Sequence, residues 1–146
     1  MAKSIAKQSE SVRVVVRVRP MSSKEKKDDR MQAVTVHEEI NEAGQGQIEL
    51  KNPKADEREP PKLFTFDKAY GPNSKQRNIY DQVAAPIVDA VMHGYNGTMF
   101  AYGQTGAGKS FTMEGEPDKP ELQGVIPNSF RHIFDHIKGN TSKVKK

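Results

Sequence analysis

The spacing of apolar residues in the first half of the chain predicts strands. From Val12 onward every second residue up to Val18 is Val, so Ser11–Arg19 is predicted to be a strand with one wholly apolar face. Pro20 ends this strand because proline cannot donate to a strand ladder. The charged stretch 22–30 that follows is predicted to be a solvated loop. Three β-prone segments then predict a small antiparallel sheet, and they are Ala33–Val36, Gln47–Leu50 and Leu63–Phe66.

The second half of the chain has the period of amphipathic helices. Apolar residues recur every four positions in Ser74–His93, and Gly94 follows as a stop signal, so a helix is predicted there. Pro86 is expected to kink or divide this helix because it removes one backbone hydrogen bond. A second helix is predicted at Pro127–Lys138, after a loop rich in Gly, Pro and acidic residues at Glu114–Gly124.

A glycine-rich segment between these two helices predicts phosphate binding. The apolar run Thr98–Tyr102, a predicted buried strand, leads into Gly-Gln-Thr-Gly-Ala-Gly-Lys-Ser at residues 103–110. This segment fits the pattern G-x-x-x-x-G-K-[ST] at every fixed position. Glycines leave backbone N–H groups open to a phosphate chain, and a helix that begins near Lys109 adds its N–H groups and the positive end of its dipole. A flexible Gly-rich turn beside a surface lysine is the alternative, and the flanking strand disfavours it.

The segment supplies most of the predicted nucleotide-binding residues. The Lys109 ammonium is predicted to reach the β and γ phosphates, and the Ser110 hydroxyl is predicted to ligate Mg²⁺. The complete predicted set in this segment is Gly103, Gln104, Thr105, Gly106, Ala107, Gly108, Lys109, Ser110 and Phe111.

Length and composition exclude several other classes of protein. With 146 residues and 34% hydrophobic content, the chain fits one α/β domain. Its net charge of +4 is mild, and the basic residues are not interleaved with stacking aromatics, so no nucleic-acid partner is expected. It has no cysteine, and no apolar stretch approaches the roughly 20 residues that cross a bilayer, so a soluble intracellular protein is expected. A disordered lead-in is predicted at residues 1–11 and a basic tail at residues 139–146.

Three further segments resemble a kinesin motor domain, and they are Arg17–Pro20, Gly94–Tyr102 and Ser110–Gly115. The resemblance covers residues 12 to about 137, and the N-terminal strand and charged loop are most similar to the heterotrimeric transport kinesins, the kinesin-2 group. It implies an α/β P-loop NTPase fold with flanking helices, ATP or ADP with Mg²⁺ as cofactor, and a cytoplasmic protein of the cytoskeleton. In the complete motor it implies the microtubule as partner and ATP hydrolysis that drives movement.

The resemblance also implies roles for three residues outside the glycine loop. It places Arg17 and Pro20 beside the adenine and Tyr80 near the base. From the residues alone, Arg17 could equally lie on the solvated face of a strand. Tyr80 could be an ordinary core aromatic.

Two nucleotide-sensing motifs of the kinesin family, Asn-x-x-Ser-Ser-Arg and Asp-x-x-Gly-x-Glu, do not occur in this sequence. The chain is therefore expected to bind nucleotide without hydrolysing it and without moving. In the kinesin sheet, the strands that correspond to Val12–Arg19 and Thr98–Tyr102 are separated by another strand, which has no counterpart in this sequence. An incomplete central sheet and marginal stability are therefore expected.

Two hypotheses remain open at this point. The chain is either the N-terminal part of an ATP-hydrolysing microtubule motor, or a naturally short, non-catalytic protein, derived from a kinesin, that binds nucleotide or partners. A small P-loop kinase is disfavoured because the chain has no room for a lid and an acceptor site.

Overall fold

The structure, a computed structural model, describes residues 12–54, 56 and 59–144, and of residues 141–144 only the backbone. The predicted lead-in 1–11 lies outside the described residues, as do the last two residues of the predicted basic tail. The chain divides into two compact units, Met1–Pro72 and Asn73–Lys146. Each unit has its own buried apolar residues.

The described part of the first unit contains two small sheets. Strand β1 (Val15–Arg17) pairs in parallel with β5 (Lys68–Tyr70). Strands β2 (Val34–His37), β3 (Gly46–Leu50) and β4 (Lys62–Phe66) form an antiparallel sheet in the order β2-β3-β4. This confirms the predicted antiparallel sheet, while β1 is shorter than predicted and β5 was missed.

The core of the first unit lies where β3 approaches β5. Ile48, Ala69 and Tyr70 are buried there. Gly46 faces Ala69 so closely that a Cβ added to Gly46 would lie 2.5 Å from the Ala69 Cβ and would collide with its backbone nitrogen. The two strands can approach this closely only because residue 46 has no side chain.

The stretch predicted to be a loop after Pro20 contains a short helix, α1 (Ser23–Lys27). The Ser22 hydroxyl accepts a hydrogen bond from the Glu25 N–H at 3.2 Å, and the Glu25 carboxylate accepts one from the Ser22 N–H at 2.7 Å. This reciprocal capping box satisfies two backbone donors that the helix leaves unpaired. The Arg19 guanidinium also donates to both Glu25 oxygens, and these bonds, with those from Ser22, hold the pKa of the Glu25 carboxyl well below its usual range. The loop prediction overlooked the Ser-x-x-Glu spacing.

The helix predicted at Ser74–His93 is divided near Pro86, as expected. It consists of α2 (Gln76–Ile79), a π-helical turn (Tyr80–Ala84) and α3 (Ala85–Met92). In the turn the Ala85 N–H donates to the Tyr80 carbonyl, five residues back, which is the π-helical pattern. Pro86 is among the first two residues of α3 and comes directly after this turn.

Two further helices follow the glycine segment. Helix α4 (Lys109–Met113) begins where the sequence predicted a helix, and a 3₁₀ helix (Pro120–Leu122) interrupts the following loop. Helix α5 (Val125–Val144) begins two residues before the predicted start and continues into the predicted basic tail. In the described part of the chain no helix is long and apolar enough to cross a membrane.

The prediction of a strand at Thr98–Tyr102 is wrong, because the structure has an irregular connection there. Met99 is partly buried and packs against the core formed by Tyr80, Ala84 and Val125. In contrast, Phe100 is 80% and Tyr102 97% exposed. A strand requires a neighbour that completes its hydrogen bonds, and among the described residues none pairs with this segment. The apolar pattern therefore identified an inward-facing side chain but not a strand.

Replacement of Gly46 by Ala should destabilise the protein, because the new Cβ has no room beside Ala69. We expect a loss of about 1–3 kcal/mol in the free energy of unfolding, measured by urea denaturation. Gly139→Ala is the matched control, since Gly139 lies in α5 with open space around it and should gain about 0.5–1 kcal/mol. Equal stability of Gly46→Ala and the unmodified chain would contradict the close approach of β3 and β5.

Candidate nucleotide-binding site

The glycine segment forms a tight turn that leads into α4. Gly106 and Gly108 have φ angles of +79° and +97°, which lie in the left-handed region that residues with a side chain rarely adopt. The Ala107 N–H donates to the Gln104 carbonyl at 3.1 Å and closes the turn. The spacing of the glycines in the sequence is therefore a requirement of the backbone.

The side chain of Lys109 folds back over this turn. Its Nζ atom donates to the carbonyl oxygen of Gly103 at 2.7 Å and to that of Gln104 at 2.9 Å. These bonds fix the ammonium group at the loop. A lysine ammonium has three donors, so it retains the capacity to bind an anion there.

The first turn of α4 completes the site. Gly108 is its N-cap, and the Gly108 carbonyl accepts both the N–H of Thr112 at 3.0 Å and the Thr112 hydroxyl at 3.1 Å. The backbone N–H groups of Lys109 and Ser110 belong to the first turn, where a helix has no carbonyl to offer them. The turn thus presents donors on the side where a phosphate is expected.

A cavity of about 330 Å³ lies at this turn. Its lining residues all belong to the predicted set, and they are Thr105, Gly106, Gly108, Lys109, Ser110 and Phe111. Ser110 is exposed in it. The described residues contain no cluster of three His, Asp or Glu side chains that could hold a metal ion on their own. When phosphates supply part of its coordination, Mg²⁺ needs only a few oxygen ligands from the protein, and the Ser110 hydroxyl is suited to be one of them.

Arg17 and Pro20, the residues expected beside the adenine, belong to the first unit, whereas the glycine turn belongs to the second. Arg17 ends β1 opposite Tyr70, and burial lowers the pKa of its guanidinium. Pro20 is exposed, and its carbonyl accepts a hydrogen bond from Arg19 at 3.0 Å. Their place beside one base stays a prediction.

Tyr80 lies in the core of the second unit and is 3% exposed. Its hydroxyl lies 2.9 Å from His132 Nδ1, and His132 Nε2 lies 3.2 Å from a carboxylate oxygen of Asp89. The imidazole of His132 thus lies between the Tyr80 hydroxyl and the Asp89 carboxylate, and each of its nitrogens has a polar partner. Burial raises the pKa of Tyr80. Tyr80 therefore serves as a core aromatic, and its role near the base stays a prediction.

Two buried amides in the second unit, Gln76 and Asn128, were not predicted from the sequence, and each is 4% exposed. The Gln76 amide donates to backbone carbonyls in α4 and in the loop after it. Asn128 Nδ2 donates to the carbonyls of Gln123 and Gly124 at 2.9 and 2.8 Å. The sequence alone could not separate these side chains from solvated amides, because their burial depends on neighbours distant in the sequence.

The chain is similar to proteins of one family. The family model described as the kinesin motor domain matches residues 17–146. The curated protein "Kinesin-like protein KIF3C" is 49% identical over 134 residues in both Mus musculus and Bos taurus, and the alignment covers 92% of this chain. The chain spans 16% of the length of these relatives.

Removal of the Tyr80 hydroxyl should lower stability without emptying the core. In Tyr80→Phe the ring remains, but His132 loses a hydrogen-bond partner, so we expect the free energy of unfolding to fall by about 1 kcal/mol. Tyr95→Phe is the control because the Tyr95 side chain is 66% exposed. Both variants are compared by urea denaturation, and identical midpoints would show that the bond between Tyr80 and His132 contributes nothing.

Proposed function

We propose that this chain, which belongs to the kinesin motor family, is the ATP-binding portion of a microtubule motor. Mg²⁺-ATP or Mg²⁺-ADP would lie on the turn formed by residues 103–110. The similarity to KIF3C proteins supports the assignment to the kinesin-2 group made from the sequence. Since the chain spans 16% of their length, hydrolysis, movement, microtubule binding and a cytoplasmic, cytoskeletal location are proposed for the complete protein only.

The observation that carries this proposal is the geometry of the glycine turn. Left-handed Gly106 and Gly108 bring backbone N–H groups to the start of α4, and the Lys109 ammonium is fixed beside them by two loop carbonyls. Backbone donors and a cation that converge on one small cavity match the charge and shape of a polyphosphate. Ser110 would hold Mg²⁺ through its hydroxyl oxygen, and the bound ion would supply positive charge that neutralises the phosphates.

The proposed activity of this chain by itself ends at binding. Phosphoryl transfer to water requires groups that orient the attacking water and sense the γ phosphate, besides the groups that hold the phosphates. The two kinesin motifs for this task do not occur in the sequence. We therefore propose that the chain alone binds nucleotide and does not hydrolyse it.

Replacement of Lys109 by Met should weaken the binding of ATP and ADP at least about tenfold, because a charge-assisted hydrogen bond is worth about 1.5–3 kcal/mol. AMP, which lacks the phosphates that Lys109 would reach, should bind almost equally to both proteins. The measurement is a competition titration against a fluorescent ADP analogue. Lys54→Met is the control, since Lys54 is an exposed lysine in a turn of the first unit. Unchanged ATP affinity in Lys109→Met would refute the proposed site.

Steady-state release of phosphate from ATP should stay at background for the purified chain, with or without microtubules. The protein would nevertheless bind ATP in the titration. Phosphate release that the unmodified chain supports and Lys109→Met abolishes would show that hydrolysis needs no further segment.

A further inference from the structure

We infer that Gln76 is a positioning residue for the phosphate-binding turn, which it holds through the Phe111 carbonyl of α4. The inference rests on the proposed nucleotide binding. Gln76 is the first residue of α2 and is buried. Its Nε2 atom donates to the carbonyl oxygen of Phe111 at 2.5 Å and to that of Leu122 at 3.1 Å. One amide therefore joins α4 to the loop that follows it.

Helix α4 depends on such external bonds because it has only five residues. A helix this short satisfies few of its own backbone groups and is unstable in isolation. Its last turn is irregular, since the N–H groups of both Glu114 and Gly115 donate to the Ser110 carbonyl, at 2.7 and 3.2 Å. Beside this irregular turn the Gln76 amide donates to the Phe111 carbonyl.

The second acceptor of Gln76 is the Leu122 carbonyl, in the loop that follows α4. This loop has an outgoing limb, residues 114–116, and a returning limb, residues 122–124. The two limbs pair, since the Gly124 N–H donates to the Glu114 carbonyl at 2.9 Å and the Glu116 N–H donates to the Leu122 carbonyl at 3.1 Å. They lie so close that a Cβ on Gly115 would collide with the Leu122 carbonyl oxygen. Gln76 thus binds α4 at Phe111 and also binds the returning limb of the loop at Leu122.

The consequence for the site follows from the length of α4. At about 1.5 Å per residue, five residues span only about 7.5 Å, so a tilt at Phe111 displaces Lys109 and Ser110 as well. Such a displacement matters for groups that must converge on phosphates. It should matter less for a nucleoside monophosphate, which does not extend to the Lys109 ammonium.

Asn128 provides a matched comparison. It is as buried as Gln76 and also donates two hydrogen bonds to backbone carbonyls of the same loop, those of Gln123 and Gly124. These acceptors lie outside α4, which ends at Met113. Loss of Asn128 should loosen the loop without releasing the Phe111 carbonyl.

The test compares Gln76→Met with Asn128→Leu, two replacements of similar size that remove the amide donors. Binding of ATP, ADP and AMP is measured on the full chain by competition with a fluorescent ADP analogue, and stability by urea denaturation. We expect both variants to lose stability. Gln76→Met should bind ATP and ADP about tenfold more weakly with AMP unchanged, whereas Asn128→Leu should keep the ATP-to-AMP affinity ratio of the unmodified chain.

Three results would overturn the inference. ATP affinity in Gln76→Met equal to that of the unmodified chain would do so, and so would an equal change of the ATP-to-AMP ratio in both variants, which would indicate general loosening. If the unmodified chain binds no nucleotide, the proposed function itself fails and the inference fails with it. Should Gln76→Met not fold, Gln76→Asn keeps the amide on a shorter side chain, and it should reduce the ATP-to-AMP ratio in the same direction.

Discussion

The left-handed backbone at Gly106 and Gly108 is the constraint on which the candidate site depends. These φ angles reverse the chain and start α4, so that the N–H groups of its first turn and the Lys109 ammonium lie on the same side. A side chain at either glycine would strain the turn. The cavity and the exposed Ser110 hydroxyl then follow from this single reversal of the backbone.

The position of the glycine turn depends on helix α4, which follows it directly. Helix α4 is short, and the polar groups around it are satisfied by side chains from other elements, above all by the buried amide of Gln76. At the end of the following loop, Asn128 supplies a second pair of hydrogen bonds, to the carbonyls of Gln123 and Gly124. In a partly buried environment these bonds matter because an unpaired carbonyl costs about 1–3 kcal/mol. The second unit therefore combines a small apolar core with polar contacts that orient the site.

Local signals in the sequence were sufficient for the elements that local chemistry controls. The strands of the antiparallel sheet, the division of the helix near Pro86 and the start of α4 were all predicted. The capping box of α1 was available as a signal but was overlooked, so a helix was taken for a loop. Strand β5 has three residues, too few to show a period, and exists because it pairs with β1. The strand predicted at Thr98–Tyr102 failed for the opposite reason, since no described strand pairs with it.

By itself the sequence determined the family, the phosphate-binding pattern and the residues expected to hold a nucleotide. It could do so because glycine conformation, lysine charge and helix starts depend on residues close together in the chain. The tertiary structure alone decided that Tyr80 forms a hydrogen bond with His132, that β3 approaches β5 at Gly46, and that Gln76 anchors α4. The partners in these contacts are separated by 52, 23 and 35 positions in the chain. Burial and hydrogen bonding between residues so far apart arise only when the chain has folded.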